Sequence, residues 1–277
     1  MLTIFMATYL NMIKTCSMII ATIILLVASC KLNDDASVSK NNVKPTTEVT
    51  DQEWQILFDG TTTEGWRAYN GTELPPQWVI KNDELTFDKE KKTDVEHEGG
   101  KDIIYAAEEF DNFELYLEWK IPEGGNSGIF YHVKEGYSGP PVGSPEYQLI
   151  DDENYAKIHD LTQYNTSVGF DNPSELHPLQ STGADYAMYA PDASKKKLNP
   201  TGEWNNTTIV YTPNRVEHWL NGQMLLSFDP TSEDWQTKRN SGKWESAPDY
   251  AKFKSGYIGL QDHDSPLWFR NIKIKKL

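Results

Sequence analysis

Cysteine is almost absent: the chain has two, Cys16 and Cys30, both near the N-terminus. A disulfide framework is therefore excluded, and the fold must stand on its hydrophobic core. Basic charge is also scarce. Against 41 Asp and Glu there are 26 Lys and Arg, a net charge of −15. That balance repels phosphate backbones and excludes nucleic acid as a partner. There is no G-x-S-x-G elbow, no H-E-x-x-H helix and no cysteine pair suited to zinc. Apolar runs are short as well. Met18–Ala28 (MIIATIILLVA) is apolar throughout except for Thr22, well under the roughly 20 residues that a membrane-spanning helix needs.

That run follows Lys14 and reads as the core of a signal peptide. It ends in Leu26-Val27-Ala28-Ser29-Cys30, which resembles the bacterial lipobox, so Cys30 is the expected lipidation site. An ordinary signal peptide beside an incidental cysteine is the alternative. Residues 1–29 are thus expected to be the signal peptide, and 30–53 the lipidated Cys30 with a polar, aperiodic tether. Residues 54–277 are expected to form a single β-sandwich domain. The protein is expected to be exported and lipid-anchored, at the periplasmic face or the outer-membrane surface, with the membrane as a partner through that anchor.

Aromatic residues are abundant, at 12% with nine Trp. They suit either a core or flat platforms for sugar rings. Strand signals dominate beyond the tether. Phe113, Leu115, Leu117 and Trp119 alternate with Glu114, Tyr116, Glu118 and Lys120, the period of a half-buried strand. Further strands are expected at 128–133, 146–150, 207–211, 257–260 and 268–274. Asn221-Gly222 between two apolar stretches is a strong hairpin signal, because a type I′ turn needs φ > 0 at both central positions. Many short strands without βαβ alternation indicate an all-β antiparallel sandwich or jelly roll. The irregular stretch 151–199 is expected to wall the binding site.

Three clusters carry candidate chemistry. The first is Ser144-Pro-Glu146-Tyr-Gln148-Leu-Ile-Asp151. Glu146 and Gln148 share a strand face, and a bulge before Asp151 would add it to that face; a solvated sheet face is the plain alternative. The second is Gln261-Asp262-His263-Asp264 in a turn between strands, where a neighbouring carboxylate would orient the imidazole and raise its pKa. The third is Gly124-Gly-Asn126-Ser-Gly128, a tight turn entering a strand. His218, between Val216 and Leu220 in period, reads as a core histidine. No cofactor is called for. Asp151, Asp152, Glu153, His159 and Asp160 leave room for a divalent metal but lack a recognised ligand spacing, so no metal residues are assigned.

Taken in order, eleven segments resemble the 3-keto-disaccharide hydrolase domain family. They begin with Leu57-Phe58-Asp59-Gly60 and Gly65-Trp66, Trp78 and Phe110–Leu115. Gly125–Phe130, Glu146–Asp151, Thr182-Gly183-Ala184 and Gly202–Asn205 follow. His218–Gly222, Gly259–His263 and Trp268–Ile272 complete the set. The insert 154–180 departs from the pattern. The resemblance implies a concanavalin/laminarinase-like sandwich acting on glycosides oxidised to a ketone at C3 by a partner sugar oxidoreductase. It further implies elimination of the C1 aglycone and rehydration, for net hydrolysis. By chemical fitness for such a reaction, His263 or Glu146 is the base and the other the acid, with Asp151 orienting them. Gln148 and Asn126, with Lys120 or Arg270, are candidate donors to the substrate, and Glu118 and Asp262 further substrate-binding groups. Two rivals stand beside this. Glu146-x-Gln148-x-x-Asp151 imitates in spacing a laminarinase-type glycosidase strand, which needs two carboxyls. A non-catalytic carbohydrate-binding module is the other.

Overall fold

The computed structural model describes residues 53–91 and 101–277; the expected signal peptide, Cys30 and most of the tether lie outside the described residues. The strands are β1 (Gln55–Phe58), β2 (Trp66–Ala68), β3 (Trp78–Lys81), β4 (Glu84–Phe87), β5 (Ile103–Phe110), β6 (Phe113–Lys120) and β7 (Asn126–Val133). They continue as β8 (Glu146–Ile150), β9 (Asn205–Thr212), β10 (Arg215–Leu220), β11 (Gln223–Phe228), β12 (Gly256–Leu260) and β13 (Leu267–Lys276). Three short helices interrupt them: α1 (Tyr155–Ile158), α2 (Thr162–Ser167) and α3 (Glu233–Arg239).

The strands form two antiparallel sheets. The larger has eight strands, ordered β11-β10-β9-β6-β13-β4-β3 with β1 also on β13; the smaller runs β2-β5-β12-β7-β8. This is the antiparallel sandwich that the alternation predicts. In β6 the four apolar residues are buried and the four polar ones only half-buried, so one face meets the other sheet and the other faces outward. Leu117, with no exposed surface, is worth about 2–5 kcal/mol against truncation to Ala. In β13, Leu267 and Phe269 face inward, and so do Ile272 and Ile274. That change of parity is absorbed by a register shift between Arg270 and Lys273 against β6, with Asn271 at φ 51°. The β10–β11 hairpin turns through Asn221 and Gly222 at φ 48° and 78°, as expected.

β7 and β8 are buried along their whole lengths. Tyr147 and Leu149 join the core between the sheets, so Glu146 and Gln148 point away from the larger sheet. The segment 151–204 returns over them. Gly183 N–H donates to the Gln148 carbonyl (3.0 Å) and Tyr186 N–H to the Glu146 carbonyl (3.0 Å), and Asp185 bridges to Tyr147. The edge of β8 is therefore covered rather than open. A second apolar cluster of Tyr186, Met188, Trp235, Trp244 and Tyr250 ties this segment to the α3 region.

Candidate active site

The site is built on the pairing of β7 with β8, which sets Gly128 opposite Gln148 and Phe130 opposite Glu146. Glu146 is 5% exposed, and its carboxylate leans over Gly128. A Cβ at position 128 would stand 2.1 Å from Glu146 Oε1 and 2.7 Å from its carboxyl carbon. Gly128 has an ordinary backbone conformation, so here glycine supplies space rather than an unusual φ. With the side-chain amide turned so that its nitrogen faces acceptors and its oxygen donors, Gln148 donates to Glu146 Oε1 (2.9 Å) and to the Ser127 carbonyl (3.1 Å). Burial raises the pKa of Glu146 to about 8; the ammonium of Lys243 opposes the shift and the Asp102 carboxylate adds to it.

Around this carboxyl lies a pocket of about 340 Å³, the size of a small-ligand site. Asn126, Gln148, Gln261 and His263 line it from the sheet end, and Tyr155, His159, Tyr164, Tyr186 and Lys243 from the covering segments. Asn126 Nδ2 donates to Tyr155 Oη (3.2 Å), His159 Nε2 pairs with the Gly124 carbonyl (3.1 Å), and Tyr164 and Tyr186 share a hydroxyl hydrogen bond of 2.8 Å. The segment 151–199 is thus a wall of the pocket. The turn bearing His263 is fastened to β7: Gln261 N–H donates to the Gly128 carbonyl (2.9 Å) and Ser127 Oγ to the Gln261 carbonyl (2.9 Å). His263 itself is exposed at the mouth.

Of the expected site residues, Glu146, Gln148, Asn126 and His263 meet in this pocket. Asp262 does not hold the imidazole: its carboxylate and that of Asp264 face Lys101, at 3.7 and 3.0 Å. Its backbone N–H donates to Asp102 Oδ1 (2.8 Å). Asp102 has a pKa raised to about 7 by burial, with the nearby Asp262 charge adding to it.

Two further expectations are corrected. No bulge brings Asp151 to Glu146, because β7 and β8 stay in register from Phe130↔Glu146 to Asn126↔Ile150. The Asp151 carboxylate instead accepts from Gly124 N–H (2.9 Å), Asn154 Nδ2 (2.9 Å) and the N–H groups of Glu153 and Asn154 (3.2 Å each). It pins the loop after β8 and borders a separate hollow with Asp152, Glu153 and Glu203. Lys120, Glu118 and Arg270 lie on the outward face of the larger sheet, on the far side of the sandwich from Glu146. Lys120 pairs with Glu84 (3.6 Å) and Arg270 with Glu118 (2.7 Å), while both cations stack on Trp204, at 4.7 and 4.1 Å. The acids offered as metal ligands are engaged one by one: Asp152 with Lys196, Glu153 with Lys157, Asp160 with Thr162 N–H. No group of three metal-ligating side chains assembles among the described residues. His218 is a core histidine with no exposed surface, its Nδ1 on the Gly183 carbonyl (3.1 Å).

No period or motif in the sequence marks Lys243, Tyr164, Tyr186 or Asp102. The first three come from aperiodic segments, and Asp102 shows no signal beyond preceding a strand.

Residues 53–275 match the family described as 3-keto-alpha-glucoside-1,2-lyase-like domain. A 3-keto-disaccharide hydrolase from Bacteroides thetaiotaomicron is 32% identical over 241 residues, covering 80% of this chain and 77% of that protein. Among solved structures, one from Parabacteroides distasonis assigned as a glycosyl hydrolase superposes with a TM-score of 0.69 at 39% identity, over 81% of this chain and 94% of that one. A second from the same organism has the same fold at a TM-score of 0.55 and 24% identity, over 81% of this chain and all of the other.

Proposed function

The chain belongs to the 3-keto-alpha-glucoside-1,2-lyase-like family, and from that premise we propose that it is a carbohydrate hydrolase cleaving 3-keto glycosides by elimination and rehydration. One observation carries the reading: a buried carboxyl with a pKa near 8 at the floor of a sugar-sized pocket that has a histidine at its mouth.

A ketone at C3 acidifies the C2 hydrogen, so a carboxylate of raised basicity suffices to remove it. Glu146, deep in the pocket, is the base in its ionised form, which burial makes the minor species near neutral pH and correspondingly more basic. The C2–H bond breaks, the proton passes to Glu146, and the electron pair forms an enolate with its charge on the C3 oxygen. When the ketone re-forms, a C1–C2 double bond appears and the C1–O bond breaks. His263, at the mouth where an aglycone would leave, protonates the departing oxygen. Water then adds across the double bond, hydrogen to C2 and hydroxyl to C1, completing a net hydrolysis. An oxidoreductase that installs the ketone would be the functional partner. Lipidation of Cys30 would hold the enzyme at a membrane surface after export.

The laminarinase-type alternative loses its second carboxyl, since Asp151 is committed to the loop after β8. The experiment that tests the proposal offers the protein a 3-keto glycoside and, separately, its unoxidised parent. Release of aglycone from the keto substrate alone supports it. Cleavage of the unoxidised glycoside replaces it with conventional hydrolysis, and binding without cleavage of either replaces it with a carbohydrate-binding module.

A further inference from the structure

Removing the C2 proton leaves a charge on the C3 oxygen, and the amide donors of the pocket are largely spent. Gln148, with its amide turned so that the nitrogen faces acceptors, uses both amide protons, on Ser127 and Glu146, and Asn126 uses one on Tyr155. Neutral amides are also weaker partners for an oxyanion than an ammonium.

Lys243 enters the same pocket from a single 3₁₀ turn, Gly242–Trp244. Its Nζ lies 4.2 Å from the ring centre of Tyr186, 4.6 Å from that of Trp244 and 5.8 Å from that of Tyr164. In a chain with far more acids than bases, this ammonium forms no ion pair among the described residues; aromatic faces hold it instead. Rings attract a cation without neutralising it, so its charge stays available to an incoming anion. The cage is itself fixed. Trp244 stacks on Tyr250 at 3.6 Å and 10°, its carbonyl accepts from Arg239 Nη1 (3.2 Å), and Tyr186 bonds to Tyr164.

We infer that Lys243 is a further catalytic residue, whose ammonium donates to the C3 oxygen of the bound keto sugar and holds the enolate charge. The role rests on the proposed function and adds the missing electrophile to it. Base and electrophile must sit near one another, because C2 and C3 are bonded neighbours, and Glu146 and Lys243 line the same pocket, near enough for the ammonium to act on the carboxyl's charge. The ammonium keeps its proton throughout: the electron pair from C2–H moves to the C3 oxygen, waits there against Nζ, and returns as the C1–O bond breaks. A preorganised charge at a position where charge develops is the largest single contribution in many enzymes.

The test compares the full-length wild type with K243M, K243Q and K243R on one 3-keto glycoside, reading kcat, KM and melting temperature. K243M is expected to lower kcat by about 10²-fold or more, with KM moving by less than about threefold because the charge acts after binding. K243Q repeats the measurement should Met disturb the cage. K243R, which keeps the charge, is expected to recover at least about tenfold of the loss. Wild-type kcat in K243M and K243Q overturns the inference, as does equal inactivity of K243R and K243M in folded protein. So does a sugar trapped on Lys243 by borohydride, which would make it an imine-forming nucleophile. A wild type that turns over no keto glycoside removes the proposed function, and Lys243's role with it; an active wild type beside active neutral variants removes Lys243 alone.

Discussion

The Oε1 atom of Glu146 occupies the space where a side chain on residue 128 would begin, 2.1 Å from the Cβ that glycine lacks. The carboxyl at the centre of the pocket is therefore seated by the strand opposite, through an absence. G128A should push Glu146 out of its seat or spread β7 from β8. Overpacking of this kind costs about 1–3 kcal/mol. Turnover should fall well beyond what the small drop in melting temperature explains. Unchanged kcat and KM in G128A would show that the position of Glu146 does not matter.

Stability should carry the signature of the buried Glu146 carboxyl. Its pKa rises from an ordinary 4.5 to about 8, so between those values the folded chain keeps a proton that the unfolded chain releases. Folding then weakens as pH rises through that window. E146Q removes the titration, and its melting temperature should gain on the wild type from pH 5 to pH 8, by the equivalent of a few kcal/mol at most. Parallel melting curves across that range would contradict the burial argument.

The two outward faces of the sandwich should separate cleanly in mutagenesis. K120M and R270M alter a surface pairing with Trp204 on the face away from the pocket, and turnover should stay within about twofold of wild type. H263A, at the mouth, should lower kcat by about 10²-fold or more if it protonates the leaving oxygen. An aglycone that leaves readily without a proton should be nearly indifferent to H263A. D151A should act on folding instead, costing about 1–3 kcal/mol because its carboxylate accepts four hydrogen bonds. Steady-state kinetics and thermal melts on the four variants check all of this.

The proposed anchor has its own assay. In a bacterial host that processes lipoproteins, C30S should abolish labelling by a radioactive fatty acid and release the protein from the membrane fraction. Equal membrane association of C30S and wild type would count against lipidation.

Much of the fold is legible because strand burial writes itself into sequence as a two-residue period: Phe113 to Lys120 reads off the inner and outer faces of β6, and Asn221-Gly222 marks its hairpin. Period says which residues face outward, but a sandwich has two outward faces. Period alone therefore groups Lys120 and Arg270 with Glu146, although they stand on the opposite side. A bulge would bring Asp151 beside Glu146; the ladder stays regular and the strand ends first, at Ile150. Lys243, Tyr164 and Tyr186 reach the pocket from segments without periodicity, whose path depends on tertiary contacts such as the stacking of Trp244 on Tyr250. Glu146, Gln148, Asn126 and His263 could be found because they lie in strands or in the turns that join them.

Proton removal by Glu146 is the step on which the rest depends, and deuterium reports it directly. The wild type and E146Q would be incubated with a 3-keto glycoside in D₂O, and C2 of the recovered substrate and product followed by NMR. Deuterium should enter at C2 with the wild type alone, while E146Q stays folded, binds the sugar and exchanges no faster than buffer. Equal exchange in both proteins, or aglycone release by the wild type with every C2 hydrogen retained, would contradict the mechanism.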